Sequence, residues 1–258
     1  MEKTSKKELI VRGGLILAVL LTLVILAAVN WDYLVYSFSR NFANESASTL
    51  LPSGLANTFL VTIAAFLMGL ILGTLVCIIN QSKSQNVFVL IGKQIAKFYV
   101  LLFRGTPVVV QLLVIYFVIF ASYKGEPIYV AMLCFGLNSG AYVSEYIRGG
   151  IGAVPKGQLE AGLSLGLSYR KTMSKIVLPQ AYKNCFPSLC NEIVSLIKET
   201  SVVGFIGAID LTKAFQKLAT ITYDYMTVYL VMGAVYFIIV MILTYLLSLL
   251  ERKVFKNA

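Results

Sequence analysis

Glu145 and Arg148 stand three residues apart, and Lys198, Glu199, Thr200 and Ser201 stand in a row; both groups fall in or beside long apolar runs. Residues three apart share a helix face and can pair. Ionisable groups in apolar spans are costly, and they mark either an aqueous path or charges that join helices. A zwitterion needs one partner for its ammonium and another for its carboxylate. A helix broken at Lys198–Ser201, ahead of Gly204 and Gly207, offers both kinds, and the two hydroxyls suit a cap at such a break. Buried ion pairs holding helices together are the other reading of the same residues. Glu192 lies on this span too, and adjacent Lys198 and Glu199 point to different faces. Gln111, Tyr116, Asn138, Ser139 and Tyr142 either line a path or join helices by hydrogen bonds worth roughly 0.6–2 kcal/mol in membranes. The chain has no His, which excludes His-based catalysis and His metal sites. No nucleophile–base pair or metal-ligand constellation is present, so an enzyme is not expected.

A second stretch carries its chemistry in a polar loop. Gly157-Gln158-Leu159-Glu160-Ala161-Gly162-Leu163-Ser164-Leu165-Gly166 runs on to Ile176-Val177-Leu178-Pro179 between two apolar spans. Val154-Pro155 stops the preceding helix. Pro155 to Leu165 then predicts a short helix with Glu160 in an early turn, where a carboxylate suits the positive end of the helix dipole. Gly162 and Gly166, four apart, fall on one face, which is low enough for another backbone or a bulky partner to approach. Tyr169 to Lys175 predicts a basic amphipathic helix that Leu178-Pro179 ends. The loop either lies on lipid headgroups or holds a partner.

The elements that must position these groups are membrane spans. Of 258 residues 58% are hydrophobic and only 13% charged, about half the charge of a soluble domain. About 20 apolar residues cross the hydrocarbon core. Uncharged runs predict six helices, at 13–31, about 55–80, 105–123, 127–144, 184–209 and 225–250. Residues 86–104 carry Lys93, Lys97 and Arg104 on one face and predict a helix at the inner surface that bends into the next span at Arg104-Gly105-Thr106-Pro107; one long kinked helix is the alternative. Residues 31–50 read as a short outer connection. The basic start and apolar run at the N-terminus read as a retained anchor rather than a cleaved signal.

Net charge is +10, and in an apolar chain this reads as the positive-inside rule rather than nucleic-acid binding. With the N-terminus inside, 17 Lys and Arg fall on inner segments and four on outer ones (Arg40, Lys124, Lys213, Lys217), with Lys198 within a span. Both termini and the 150–180 loop are therefore expected in the cytoplasm of a multi-pass protein of the cytoplasmic membrane. Cys77, Cys134, Cys185 and Cys190 read as core fillers.

Glu160-Ala161, then Gly166, then Ile176-x-Leu178-Pro179 resembles the "EAA…G…I-LP" loop of ABC importer permeases. Phe103-Arg104-Gly105-Thr106-Pro107 with Gln111-Leu112 is similar to the polar amino acid permeases among them. So are Gly140-Ala141-Tyr142, Glu145, Arg148-Gly149-Gly150-Ile151, Val154-Pro155-Lys156-Gly157-Gln158, Leu178-Pro179-Gln180-Ala181 and Lys198-Glu199-Thr200-Ser201. The resemblance covers about residues 54–252. It implies an all-α, polytopic membrane bundle of the type I importer permease kind, with a five-helix core plus one extra N-terminal helix. The organisation is then a cytoplasmic N-terminus (1–12), an additional helix and outer connection (13–50), a permease domain (51–252, coupling loop 150–180) and a cytoplasmic tail (253–258).

The function that the resemblance implies is import of a polar amino acid. The 157–179 loop would couple to a separate cytoplasmic ABC ATPase through Gly157, Gln158, Glu160, Ala161, Gly162 and Gly166. An extracytoplasmic amino-acid-binding protein would meet segments 31–54 and 205–224, and a second permease subunit, identical or related, would complete the path. Arg104, Thr106, Gln111, Tyr142, Glu145, Lys198, Glu199, Thr200 and Ser201 are the candidates for its gate or substrate pathway. No cofactor or metal is implied. The sequence holds no G-x-x-x-x-G-K-[ST], so ATP binding is assigned to the partner. One departure is Gly162, where the family usually has a second Ala; it should loosen the short helix by about 1 kcal/mol. A self-sufficient channel or ion-coupled secondary transporter is the alternative, though no internal repeat of the kind seen in such transporters is evident.

Overall fold

The computed structural model describes residues 31–82 and 84–256. The expected anchor helix at 13–31 lies outside them except for Trp31. Among the described residues every regular element is helical. The first is α1 (Trp31–Phe42), so the expected outer connection is itself largely a helix. The long α2 (Glu45–Gln81) follows, its end N–H of Ala47 received by the Asn44 side chain. Then come α3 (Val87–Gly105) and α4 (Val108–Val114), which runs into a π-helical turn at Ile115–Ile119. The next long helix is α5 (Pro127–Gly152), followed by the short α6 (Lys156–Ser164). One continuous rod follows: α7 (Tyr169–Thr172), a π-turn (Met173–Val177) and α8 (Leu178–Glu199). It tightens into a 3-10 segment (Thr200–Ile206), before α9 (Leu211–Thr222) and α10 (Tyr225–Lys256).

By length and apolarity α2 and residues Tyr225–Val254 of α10 can each cross a membrane alone, and α3 with residues 108–119 only as a pair bent by 110°. The bend falls at Arg104–Pro107 as expected, which rules out the single kinked helix. α5 and α8 are long but more polar, and they pack into the middle of the bundle. Leu178-Pro179 does not end a helix. The π-turn shifts the ladder, Leu178 N–H bonding to Met173 O, just where Pro179 would leave a carbonyl unpaired.

The centre of the fold is the seam of α2 with α5. Gly69 and Gly73 on α2 lie four apart, as do Gly136 and Gly140 on α5. A Cβ added at Gly69 would lie 2.6 Å from Ser139 Oγ, and one at Gly73 2.8 Å from Gly140 O. Small residues at this spacing let backbones meet in lipid, where packing rather than hydrophobic burial drives association. The spacing is plain in the sequence once a partner helix is known. The buried core beside this seam includes Val61, Ala65, Leu112, Ala131, Phe135 and Leu196. The four cysteines are buried and unpaired.

Candidate functional site

Three groups of residues from the sequence reading meet different fates. The first is the polar loop. α6 leaves Gly157, Gln158, Glu160, Ala161, Leu163 and Leu165 exposed, and buries only Gly162. Glu160 is the fifth residue of α6, a turn beyond the N-terminal dipole position expected for it. Gly166 does not share a helical face with Gly162. It stands past the helix end at φ +80°, where Leu167 N–H bonds to Gly162 O and Gly166 N–H to Leu163 O. This is a Schellman stop, and glycine takes the left-handed backbone without strain.

The low face at Gly162 is filled from within the chain. A Cβ there would lie 2.4 Å from Thr172 Cγ2 and 3.1 Å from Ile176 Cδ1. Gly162 therefore seats α6 on the following rod, and the expected looseness gives way to close packing. Leu159 adds to this seat by packing with Val154, Val177 and Ala181. Gln180 Nε2 donates to Gln158 Oε1 at 3.4 Å. The outward side of α6 carries two bare leucines, Leu163 at 43% and Leu165 at 80% exposure. The sequence reading passed over both, since leucines in a helix read as core until its buried side is known.

The second group converges. Glu145 accepts from Arg148 Nε at 3.0 Å and Nη2 at 2.7 Å, and Arg104 Nη1 approaches its Oε2 at 3.4 Å. Arg104 also lies over the Tyr142 ring, 5.3 Å from its centre. Arg104 and Glu145 line a cleft of about 380 Å³ with Asn80, Lys97 and Leu101. The charges thus join α3 to α5 and face open space, because the α3–α4 bend brings the end of α3 against α5.

Thr106 and Gln111 stitch that bend. Gln111 Nε2 donates to Phe103 O at 2.8 Å, Thr106 O at 2.9 Å and Thr106 Oγ1 at 2.8 Å. Its Oε1 accepts from Asn138 Nδ2 at 3.0 Å, and Asn138 also donates to Phe103 O. A helix end leaves carbonyls without partners, and inside a bilayer the protein itself must supply them. These side chains do that for α3.

The third group disperses. Lys198 is exposed and Glu199 half-buried, while Thr200 is buried with its hydroxyl donating back to Ile197 O, so it caps no break. Ser201, on the 3-10 segment, opens into a cleft. Glu192 is buried and accepts from Tyr146 Oη at 3.2 Å. That partnership spans 46 positions, so no local spacing announces it.

At the opposite end, α9 is bound to the start of α2. Asn57 Nδ2 donates to Ile209 O at 2.8 Å, Thr58 Oγ1 accepts from Leu211 N, and Asp210 receives the N–H groups of Thr212 and Lys213. Asn41 of α1 donates to Asp224 at 2.7 Å, and Arg40 to Thr222 O.

Residues 67–256 match the family described as "binding-protein-dependent transport system inner membrane component". The chain is 38% identical to a putative glutamine transport system permease protein GlnP of Rickettsia felis, over 80% of this chain and 94% of that protein. It is 37% identical to the arginine transport system permease protein ArtQ of Bacillus subtilis, over 79% and 92%. Among solved structures it superposes on a chain of an amino acid ABC transporter crystallised with histidines, with TM-score 0.74, 35% identity, and coverage of 80% of this chain and 94% of that one.

Proposed function

Because the chain belongs to the family of binding-protein-dependent transport system inner membrane components, we propose that it is the membrane-spanning permease subunit of an ATP-driven importer of a polar amino acid. It sits in the cytoplasmic membrane with α6 and both termini on the inner side, as the Lys and Arg bias requires. ATP is hydrolysed by a separate ATPase that takes hold of α6. An extracytoplasmic binding protein delivers the substrate, and a second permease subunit, identical or related, closes the path. Residues 51–252 form the transport domain, and the preceding helix is an addition to it.

The observation that carries this reading is α6 itself. A nine-residue helix is fixed from behind by Gly162 on Thr172 and presents Gln158, Glu160, Leu163 and Leu165 outward. Exposed leucines beside a charge suit a protein groove, where apolar anchors supply binding energy and the charge sets register. Because α7 to α8 is one continuous rod, a pull on α6 reaches the middle of the bundle directly. Arg104, Tyr142 and Glu145, on the bent helix and on α5 against which the rod packs, are the proposed gate. Thr106 and Gln111 hold the bend in shape, and Lys198 to Ser201 lie where the rod tightens.

The test is reconstitution with the partner ATPase and binding protein. Uptake should require both, and also ATP. Glu160→Lys should lower uptake about 100-fold, since misplaced charge at an interface costs several kcal/mol, while leaving the thermal midpoint of the isolated permease unchanged. Uptake by this chain alone, or wild-type rates from the Lys variant, would overturn the reading.

A further inference from the structure

The outer face carries a cleft distinct from α6 and from the Arg104–Glu145 cleft. α2 has 37 residues, so it is about 55 Å long against a hydrocarbon core of about 30 Å. Gly54, Asn57 and Thr58, which hold Asp210 to Ala214, lie some 35–40 Å along that helix from its inner end at Gln81. α9 therefore lies at the outer surface. Between it and the 3-10 segment is a cleft of about 240 Å³ lined by Ser201, Gly204, Phe205, Thr212, Lys213 and Gln216. A shallower hollow of about 430 Å³ adjoins it, sharing Lys213 and Gln216 and adding Lys217 and Thr220.

Lysines are scarce on this side. Of the four outer cations, Arg40 is spent on Thr222 O, and two of the rest, Lys213 and Lys217, sit one turn apart on α9. Among the described residues both ion pairs belong to Glu145, so neither lysine has a carboxylate within 4.0 Å. The nearby Asp210 carboxylate already receives two backbone N–H groups of α9. The Lys213 stem is held in place: a Cβ at Gly204 would lie 3.1 Å from both its Cβ and its Cδ. The result is a lysine with a seated stem, the Ser201 hydroxyl, the Gln216 amide and the Thr212 hydroxyl, itself held by Tyr236 Oη at 2.8 Å, around a space smaller than the roughly 300–1,000 Å³ of drug-sized pockets.

We propose that this cleft is an outer receiving station for the α-carboxylate of a free amino acid, with Lys213 as its anchor, Ser201, Thr212 and Gln216 as further hydrogen-bonding groups, and Lys217 drawing the anion in from the adjoining hollow. This rests on the amino acid import reading. It deepens it by assigning recognition of the group that all amino acids share to the permease's outer face. The station lies at the outer end of the bundle, apart from the Arg104–Glu145 cleft.

The experiment uses the assembled transporter in proteoliposomes, with binding protein loaded with radiolabelled amino acid and varied in concentration. Lys213→Gln should lower maximal uptake about tenfold, the loss expected when about 1.4 kcal/mol of binding is removed. The loaded binding protein's half-saturating concentration should stay unchanged, and Lys213→Arg should restore most of the rate. A raised half-saturating concentration with maximal uptake retained would mean that Lys213 grips an acidic residue of the binding protein, and would overturn the proposal. Unchanged kinetics would reduce Lys213 to a solvated charge and overturn it equally. Absence of uptake by the wild-type complex would instead refute the import reading itself.

Discussion

α6 and α9 are both short helices inserted between spans, on opposite sides of the bundle, and they are held in opposite ways. α9 buries six of its twelve residues, among them Leu211, Phe215 and Leu218, and is stitched to α2 by Asn57 and Thr58. α6 buries one of its nine, and that one is a glycine. α9 is part of the bundle and offers a strip that carries Lys213, Gln216, Lys217 and Thr220. α6 is a handle seated along one side only, by Gly162 on Thr172, Leu159 on Val177 and Ala181, and the Gln158–Gln180 bond. A handle suits a mechanical partner that must push or pull, and a fixed wall suits a surface that receives a ligand in a set geometry.

The contrast breaks most sharply at Leu165. Leu165→Asp should lower ATP-dependent uptake roughly 30-fold, the loss of an interface anchor worth about 2 kcal/mol, and should leave the permease's thermal midpoint unmoved. Normal uptake would show that the bare face of α6 is not gripped. Next come two identical substitutions with opposite results. A Cβ at Gly54 would lie 2.7 Å from the Asp210 carbonyl oxygen, whereas one at Gly157 meets nothing within 4 Å. Gly54→Ala should destabilise the chain by about 1–3 kcal/mol, read as a lower midpoint in detergent. Gly157→Ala should be neutral or stabilising by up to about 1 kcal/mol. Equal midpoints would erase the difference between wall and handle.

A third comparison sharpens the seat of α6 at Gly162. Gly162→Ala should cost about 1–2 kcal/mol through overpacking against Thr172, and the added change Thr172→Ser, which removes the clashing Cγ2, should recover most of it. A double variant no better than the single one would place the strain elsewhere.

The smallest effect is at Asp224, which ties α1 to the end of α9. Burial pushes its carboxyl up, but the Thr227 N–H and Asn41 Nδ2 outweigh that and hold it below the ordinary range. A carboxylate with a depressed folded pKa stabilises fully above its unfolded value of about 3.9 and loses that contribution as pH falls through the lower folded value. Wild type should therefore exceed Asp224→Asn by about 1 kcal/mol at pH 6, with the gap closing below about pH 4. A gap independent of pH would contradict the assigned ionisation.

Much of this was legible locally. The helical class, the bend at Arg104–Pro107, the pairing of Glu145 with Arg148 and a short helix after Pro155 all follow from apolar runs, proline chemistry and residue spacing. Other features depend on residues far apart in the chain. Thr106 and Gln111 became the stitching of a bend because Asn138 comes to meet them. The joint at Pro179 became continuous because a π-turn moved the ladder. Gly162, which in sequence reads as weakness, became the seat of α6 because Thr172 folds back onto it.

The sequence by itself determined the helical membrane class, the bend at Arg104–Pro107 and the motifs of the family, because hydropathy, proline chemistry and motif spacing act within about 20 residues. Only the tertiary structure decided which faces remain open. It turned Gly162 inward and left Leu165 bare. It separated Lys198, Glu199 and Thr200 from Ser201, which faces Lys213. Whether a side chain meets lipid, a partner or its own chain depends on packing between residues that are distant in sequence, and local pattern carries no record of those meetings.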